Sequence, residues 1–377
     1  MASMKVHRGR SFNIDAREAV REITRSWKNA KPNMIFAFAS TKQDAAAVAD
    51  ELAACFPGVP MAGCTTSGEQ LDGEHSNGSL VVAALEADGI HWETALVGQL
   101  EEPEIRSAAN DLFRRLGVDR ESFDPKHYFA ITFIDGLSLR EEGYIATLAD
   151  ALEGIPVLGG SAGDDLAFER TLVIEGGRAR SGAAVIVLAH APNGYDILKH
   201  QHFRHTATTL AVTRVNLTER RVLEFDGIVA AEAFARAIGT TREELSTDAT
   251  ISKPVLLCVN GEPYIRAIRS IEEDGSLVFY CAVEEGMVLR VGAHEDMLEA
   301  MADHFGRERP AHRADFLLSC NCILRALEAG SKGLHEGLGR NLQSLADSSI
   351  GFDTYGEQLN GLHINQTVVA LALRGTA

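Results

Sequence analysis

Gly58-Val-Pro-Met-Ala-Gly-Cys-Thr-Thr-Ser-Gly-Glu69 has a second version in the same chain, Gly154-Ile-Pro-Val-Leu-Gly-Gly-Ser-Ala-Gly-Asp-Asp165, set 96 positions further on. The two runs agree at Gly58 and Gly154, Pro60 and Pro156, and Gly63 and Gly159, with Thr65 facing Ser161. Upstream, Ala49, Leu52, Ala53 and Phe56 face Ile145, Leu148, Ala149 and Leu152, the stripe of an amphipathic helix. Further upstream, the apolar runs 34–39 and 130–135 read as buried strands. The repeated unit is therefore strand, helix, short strand, then a loop of small and polar residues. Such a duplication predicts a pseudo-symmetric domain in which each half covers the other's apolar face and the two glycine loops occupy related positions.

The chain has 377 residues, too many for one ordinary core. Its 45% apolar content supports real cores, and its 34 glycines and 10 prolines are scattered, so folded structure is expected throughout. A formal charge of −17 without a basic run argues against nucleic acid or an anionic membrane as partner. The six cysteines lack the spacing of a secreted disulfide framework, and no apolar run reaches the ~20 residues of a membrane helix. These features predict a reduced, cytoplasmic protein.

Residues 1–29 read as a tail followed by a lead-in helix. Residues 30–220 form a pseudo-duplicated domain of mixed sheets with flanking helices, its repeats at about 30–100 and 126–205. Within it, 80–85 with 90–100, and 184–189 with the residues from Tyr195 onward, read as hairpins around Ala87-Asp-Gly89 and Pro192-Asn-Gly194. Residues 221–377 alternate short strands, turn signals and a few helices, the pattern of an antiparallel α+β domain. The fold class is thus α/β followed by α+β.

Several residues could carry chemistry. Glycine lets a ligand approach the backbone closely, so Gly63, Cys64, Thr65 and Thr66 in one loop, with Gly160, Ser161, Asp164 and Asp165 in the other, are candidate ligand contacts. The opposing reading is that these glycines only make tight turns where repeats pack. Neither loop is a P-loop, since GxxxxGK[ST] is absent. Cys64 has no partner base in a recognised pattern and reads best as a small buried thiol. Cys320-Asn-Cys322 closes a strand and opens a helix, but a structural zinc site wants a second pair of ligands. Cys320 and Asn321 are assigned to packing or ligand contact. His200, His202 and His205 form the densest histidine cluster, and His363 is a further candidate. Imidazole binds haem and metals, yet clustered histidines are more often hydrogen-bonded or surface groups.

Gly63-Cys-Thr-Thr-Ser-Gly-Glu69, Gly159-Gly-Ser-Ala-Gly-Asp-Asp165, Phe225-Asp-Gly227 and Leu317-Leu-Ser-Cys-Asn321, in this order, resemble the hallmark stretches of FIST-domain proteins, over about residues 30–372. The resemblance implies a FIST N domain, a FIST C domain and a non-enzymatic sensory module that binds a small ligand and signals through an intracellular partner. It implies amino acids as one ligand class. It implies for some members haem, nitric oxide sensing and control of a histidine kinase or of cyclic-di-GMP enzymes. In its haem form the expected axial ligand is His200, His202, His205 or His363. The absence of an attached output domain favours a separate partner. The alternatives are a binding protein for an amino acid or another small polar metabolite, with Glu69, Asp164 or Asp165 meeting an ammonium group, and an enzyme using Cys64 or Cys320 as nucleophile.

Overall fold

The computed structural model describes residues 4–259, 261–307 and 313–375. The chain begins with β1 (Lys5–Ser11), α1 (Ala16–Thr24), β2 (Met34–Ser40), α2 (Ala45–Cys55), β3 (Met61–Thr66), a small hairpin β4 (Glu69–Leu71) and β5 (Glu74–Ser76), and β6 (Leu80–Glu86). Asp44 caps α2 by accepting the Ala46 and Ala47 N–H groups at 2.9 and 3.2 Å. The helix lays Val48, Ala49 and Leu52 on the sheet. Residues 5–11 were expected in a tail but form an edge strand, pairing antiparallel with β6 from Lys5↔Glu86 to Ser11↔Leu80. Their charged side chains suit an edge, which hid them from a search for apolar runs.

The same order returns in β7 (His91–Val97), α3 (Glu102–Arg115), β8 (Tyr128–Ile134), α4 (Glu141–Ala151), β9 (Val157–Ser161), the hairpin β10 (Val173–Glu175) and β11 (Arg178–Arg180), and β12 (Ala184–His190). The two hairpins expected around Ala87-Asp-Gly89 and Pro192-Asn-Gly194 do not form. β6 stays in the first sheet while β7 opens the second by pairing with β12, and β13 (Tyr195–His200) leaves β12 for a third sheet. Those turns join repeats instead of strands of one repeat.

After β13 come β14 (Phe203–Asn216), β15 (Arg221–Phe225), β16 (Ile228–Val229), α5 (Ala230–Ile238), α6 (Thr247–Ser252), β17 (Val255–Val259), β18 (Glu262–Arg266), β19 (Ile268–Ile271), β20 (Leu277–Phe279), β21 (Val288–His294) and α7 (Met297–Arg307). The last stretch holds β22 (Ala314–Cys322), α8 (Ile323–Lys332), α9 (His335–Gln343), β23 (Ala346–Thr354), the hairpin β24 (Glu357–Leu359) and β25 (Leu362–Ile364), and β26 (Val368–Leu373). The chain divides into two compact units. One takes the residues up to Lys199, then His304–His363 and Val368 onward; the other takes His200–Asp303 and Ile364–Thr367. The second unit is an antiparallel sheet in the order β18-β17-β21-β14-β15-β20-β19, with Phe225, Phe234, Leu277 and Leu289 in its core.

Three sheets of one design build the first unit: β1-β6-β2-β3-β10-β11, β25-β24-β9-β8-β12-β7, and β13-β26-β22-β23-β4-β5. In each, two parallel central strands are flanked by an antiparallel strand of the same repeat and by the hairpin of another repeat. The hairpins are exchanged in a cycle: β4–β5 docks on β23, β10–β11 on β3, and β24–β25 on β9. There is thus a third copy of the unit, interrupted by the second compact unit. Thr66-Ser-Gly-Glu-Gln-Leu-Asp-Gly-Glu-His75 reappears 288 positions on as Thr354-Tyr-Gly-Glu-Gln-Leu-Asn-Gly-Leu-His363. Equivalent backbone bonds repeat with it: the Asp353 N–H donates to Gly68 O at 2.8 Å, Ser161 N–H to Gly356 O at 2.8 Å, and Thr65 N–H to Leu172 O at 2.9 Å.

Gly63, Gly159 and Gly351 hold the same place in the three parallel pairs, opposite Ala37, Thr132 and Ser319. A Cβ at any of them would overlap the main chain or hydroxyl of that partner, so side chains are excluded there. At the centre Phe38, Phe133 and Phe352 meet pairwise, with ring centroids 4.5–5.6 Å apart. The third repeat exchanges its two strands' contributions: Phe38 faces Cys64 and Phe133 faces Gly160, whereas Cys320 faces Phe352. One large ring per repeat fills the space.

Candidate functional site

The two glycine loops expected to meet do so. The Gly163 N–H donates to the Thr65 carbonyl at 2.9 Å, and the Asp165 N–H donates to Ser67 Oγ at 3.1 Å. A Cβ on Gly163 would strike Ser67, so this contact requires glycine. Asp164 is buried and turns the second loop back on itself, accepting the N–H groups of Phe168, Glu169 and Arg170 at 3.0, 2.7 and 2.9 Å and the Tyr355 hydroxyl. Asp165, Leu166 and Phe168 all have positive φ, between 54 and 65°, in a loop held open beside the first. The outcome is an exposed Asp165 whose Oδ2 accepts Ser40 Oγ and Thr41 Oγ1 at 3.2 Å.

Beside the loops, the exchanged hairpin places His75 over β23. Its Nε2 is 2.6 Å from Asp353 Oδ2, and Asp353 Oδ1 accepts the Asn321 and Gln70 amides at 2.8 and 3.2 Å. Gly68, at φ 149°, lies beneath this bond: a Cβ there would overlap Asp353 Oδ2 and stand 2.9 Å from His75 Nε2. Burial pulls the His75 pKa down, but the bond to Asp353, its charge and that of Glu69 outweigh this and raise it. The His335 ring stacks on His75 at 3.9 Å, and its own pKa is lowered by burial and by the charge of His75 against the pull of Asp353. Behind the hairpin, Glu69 is buried and bound by Thr66 and by the Ser79 N–H and hydroxyl at 2.9 and 2.7 Å. Desolvation outweighs these bonds and lifts its pKa to about 7.

Asp165, His75, His335 and Asp353 border a cleft of about 530 Å³. One side presents Lys42, Ser67, His75, Asn77 and Asp165; the other is the apolar face of α8, with Ile323, Ala326 and Leu327, followed by His335 at the start of α9. Both signs of charge and an apolar wall therefore share one small space, which suits a compact polar molecule with an apolar part.

Of the residues singled out in the sequence, Asp165 lines the cleft and Asn321 stands behind it, fixing Asp353. Gly63, Cys64, Gly160 and Cys320 are core positions, and Thr65, Thr66 and Ser161 are buried in the sheet ends, where Ser161 Oγ accepts the Gln358 amide at 2.8 Å. Burial pushes both the Cys64 and Cys320 thiols well up, opposite to what a nucleophile requires. Iodoacetamide at neutral pH is accordingly expected to modify exposed Cys55 first and to leave Cys64 and Cys320 unreacted until the protein is denatured, as peptide mass mapping will register.

The histidines named as haem ligands do not line this cleft. His363 is buried with Nδ1 2.9 Å from Gln358 Oε1 in the first unit, whereas His200 and His202 are buried, and His205 exposed, in the second. Sequence reading missed His75, His335, Lys42 and Asp353. The signal for two of them was present: His75 and His363 occupy matching places in the first and third repeats, and Asp353 matches Thr65 and Ser161.

The class of protein is thus a three-repeat α/β scaffold with a cleft of small-molecule size where two glycine loops meet, whose chain is interrupted by an antiparallel unit. Residues 33–228 match the FIST N domain and residues 230–360 the FIST C domain, and the chain belongs to the FIST family. FIST domains are small-ligand sensing domains of signal transduction. No curated protein matches the chain. No helix among the described residues is long and apolar enough to cross a membrane.

Proposed function

We propose that this chain is a cytoplasmic sensor of a small zwitterionic metabolite of the amino acid class, bound in the cleft between the glycine loops and α8. The observation that carries the reading is the placement of Asp165 and Lys42 on one cleft with the apolar face of α8 opposite. Asp165 meets the ligand's ammonium group, exchanging the Ser40 and Thr41 hydroxyls for a charge-assisted bond. Lys42 and His75 meet its carboxylate, and Ile323 and Leu327 receive its side chain. The signal then passes to a separate protein, of the histidine kinase or cyclic-di-GMP enzyme class that the family resemblance implies.

A panel of amino acids tested by thermal shift decides this. A ligand that binds the folded state alone, at a hundred times its Kd, adds about 2.7 kcal/mol of stability. The expected result is a raised melting temperature with a subset of amino acids, none with their N-acetyl or decarboxylated analogues, and loss of about tenfold or more in affinity on Asp165→Ala, since a hydrogen bond to a charged group contributes roughly 1.5–3 kcal/mol. No shift at millimolar ligand, or equal shifts in Asp165→Ala, would remove the reading. The haem and nitric oxide form of the sensor has its own readout, a Soret band on expression with haem available.

A further inference from the structure

The stacked histidines belong to two different elements. His75 is on the exchanged hairpin, and His335 is the first residue of α9. The centroids are 3.9 Å apart and the planes within 11° of parallel. One turn further along, the same helix rests backbone to backbone on the turn of that hairpin: a Cβ on Gly73 would meet Gly339 O at 2.7 Å, and one on Gly339 would overlap Gly73 O. Helix and hairpin are thus joined at two points, one a steric pivot without side chains and the other a pair of titratable rings.

We propose that the His75–His335 stack is a proton-operated latch: one proton, held on His75, leaves α9 closed on the hairpin, and a second, on His335, drives the first turn of α9 outward about the Gly73–Gly339 contact, opening the wall of the cleft. The groups around the pair give this its direction. On the hairpin side His75 faces Asp353 of β23, which holds the first proton on it, while the weaker pull of Glu69 of β4 fades as that carboxyl, with its pKa lifted to about 7, takes up a proton in the same range. His335 has His75 against its face, and Asp353 only as a weaker attraction. It also sits at a helix N-terminus, where added positive charge is unfavourable. Glu336 on α9 is engaged with Arg340, and Lys332 of α8 with Glu328. Lys42 and Asp165 line the same cleft with opposite charges. A second imidazolium in this stack therefore faces like charge at contact distance, and the closed arrangement is lost as pH falls below the ordinary histidine range.

The latch regulates the cleft read above as the ligand site, so its test is made without ligand and its failure leaves that reading standing. Hydrogen exchange of the full chain, corrected for intrinsic rates, is followed by mass spectrometry between pH 8 and pH 5. Protection across residues 334–343 is expected to fall about tenfold or more on acidification, as local opening of α9 becomes more populated. The fall should vanish in His335→Phe, which keeps an aromatic ring but cannot be protonated, and in His335→Gln, which serves where phenylalanine disturbs packing. Unchanged protection in the wild type, or an equal fall in whichever variant folds, would overturn the proposal.

Discussion

Asp353→Ala is expected to destabilise the protein by about 3 kcal/mol or more, the range seen when one member of a buried hydrogen-bonded charge pair is removed. The side chain is buried, and its loss strands the Asn321 and Gln70 amides as well as His75. Urea unfolding at pH 6 measures the cost. Because the folded-state pKa of His75 is raised, the stability contributed by its charged pairing is fully present below the unfolded value of ~6.5 and is lost as pH rises through the folded pKa. Asp353→Asn, which keeps the shape and removes the charge, should therefore cost more at pH 6 than at pH 9. Equal cost at both pH values would mean that the imidazolium form does not matter to the pair.

Gly63→Ala should cost about 3 kcal/mol, at the upper end for overpacking, because the new methyl group would occupy the space of the Ala37 carbonyl oxygen within the parallel β2–β3 pair. Gly58→Ala separates sterics from conformation: Gly58 has φ 77° but nothing within 4 Å of an added Cβ, so only the left-handed backbone is penalised, by roughly 1–2 kcal/mol. Paired denaturant melts give both values. If the two variants lose the same stability, strand approach is not what Gly63 provides.

The repeat was legible because its signals are local: Pro60 and Pro156, Gly63 and Gly159, and the helical stripe from Ala49 to Phe56 share one spacing. The third copy escaped because the inserted second unit separates β13 from β22, so no copy stands at the next 96-residue step after the second. Its mark was the hairpin sequence from Thr354 to His363, which answers Thr66 to His75 but not the glycine loop of the second repeat. Hairpin exchange could not be read at all, since β4 looks like the continuation of β3 until β23 is known to lie beside it. For the same reason Asp165 was found and Asp353 was not. Asp165 follows a glycine loop in sequence, whereas Asp353 acquires meaning only through a partner from a different repeat.

The central claim is that the ligand lodges in the cleft that His75 and His335 line, between Asp165 and the apolar face of α8. The direct measurement is nuclear magnetic resonance of the full chain carrying 13C-labelled histidine, the two signals being assigned by His75→Gln and His335→Phe. A stabilising amino acid should shift both resonances in proportion to occupancy and leave those of His200, His202 and His205 in place. Saturation that moves only the latter set, or none of these signals, would contradict the account.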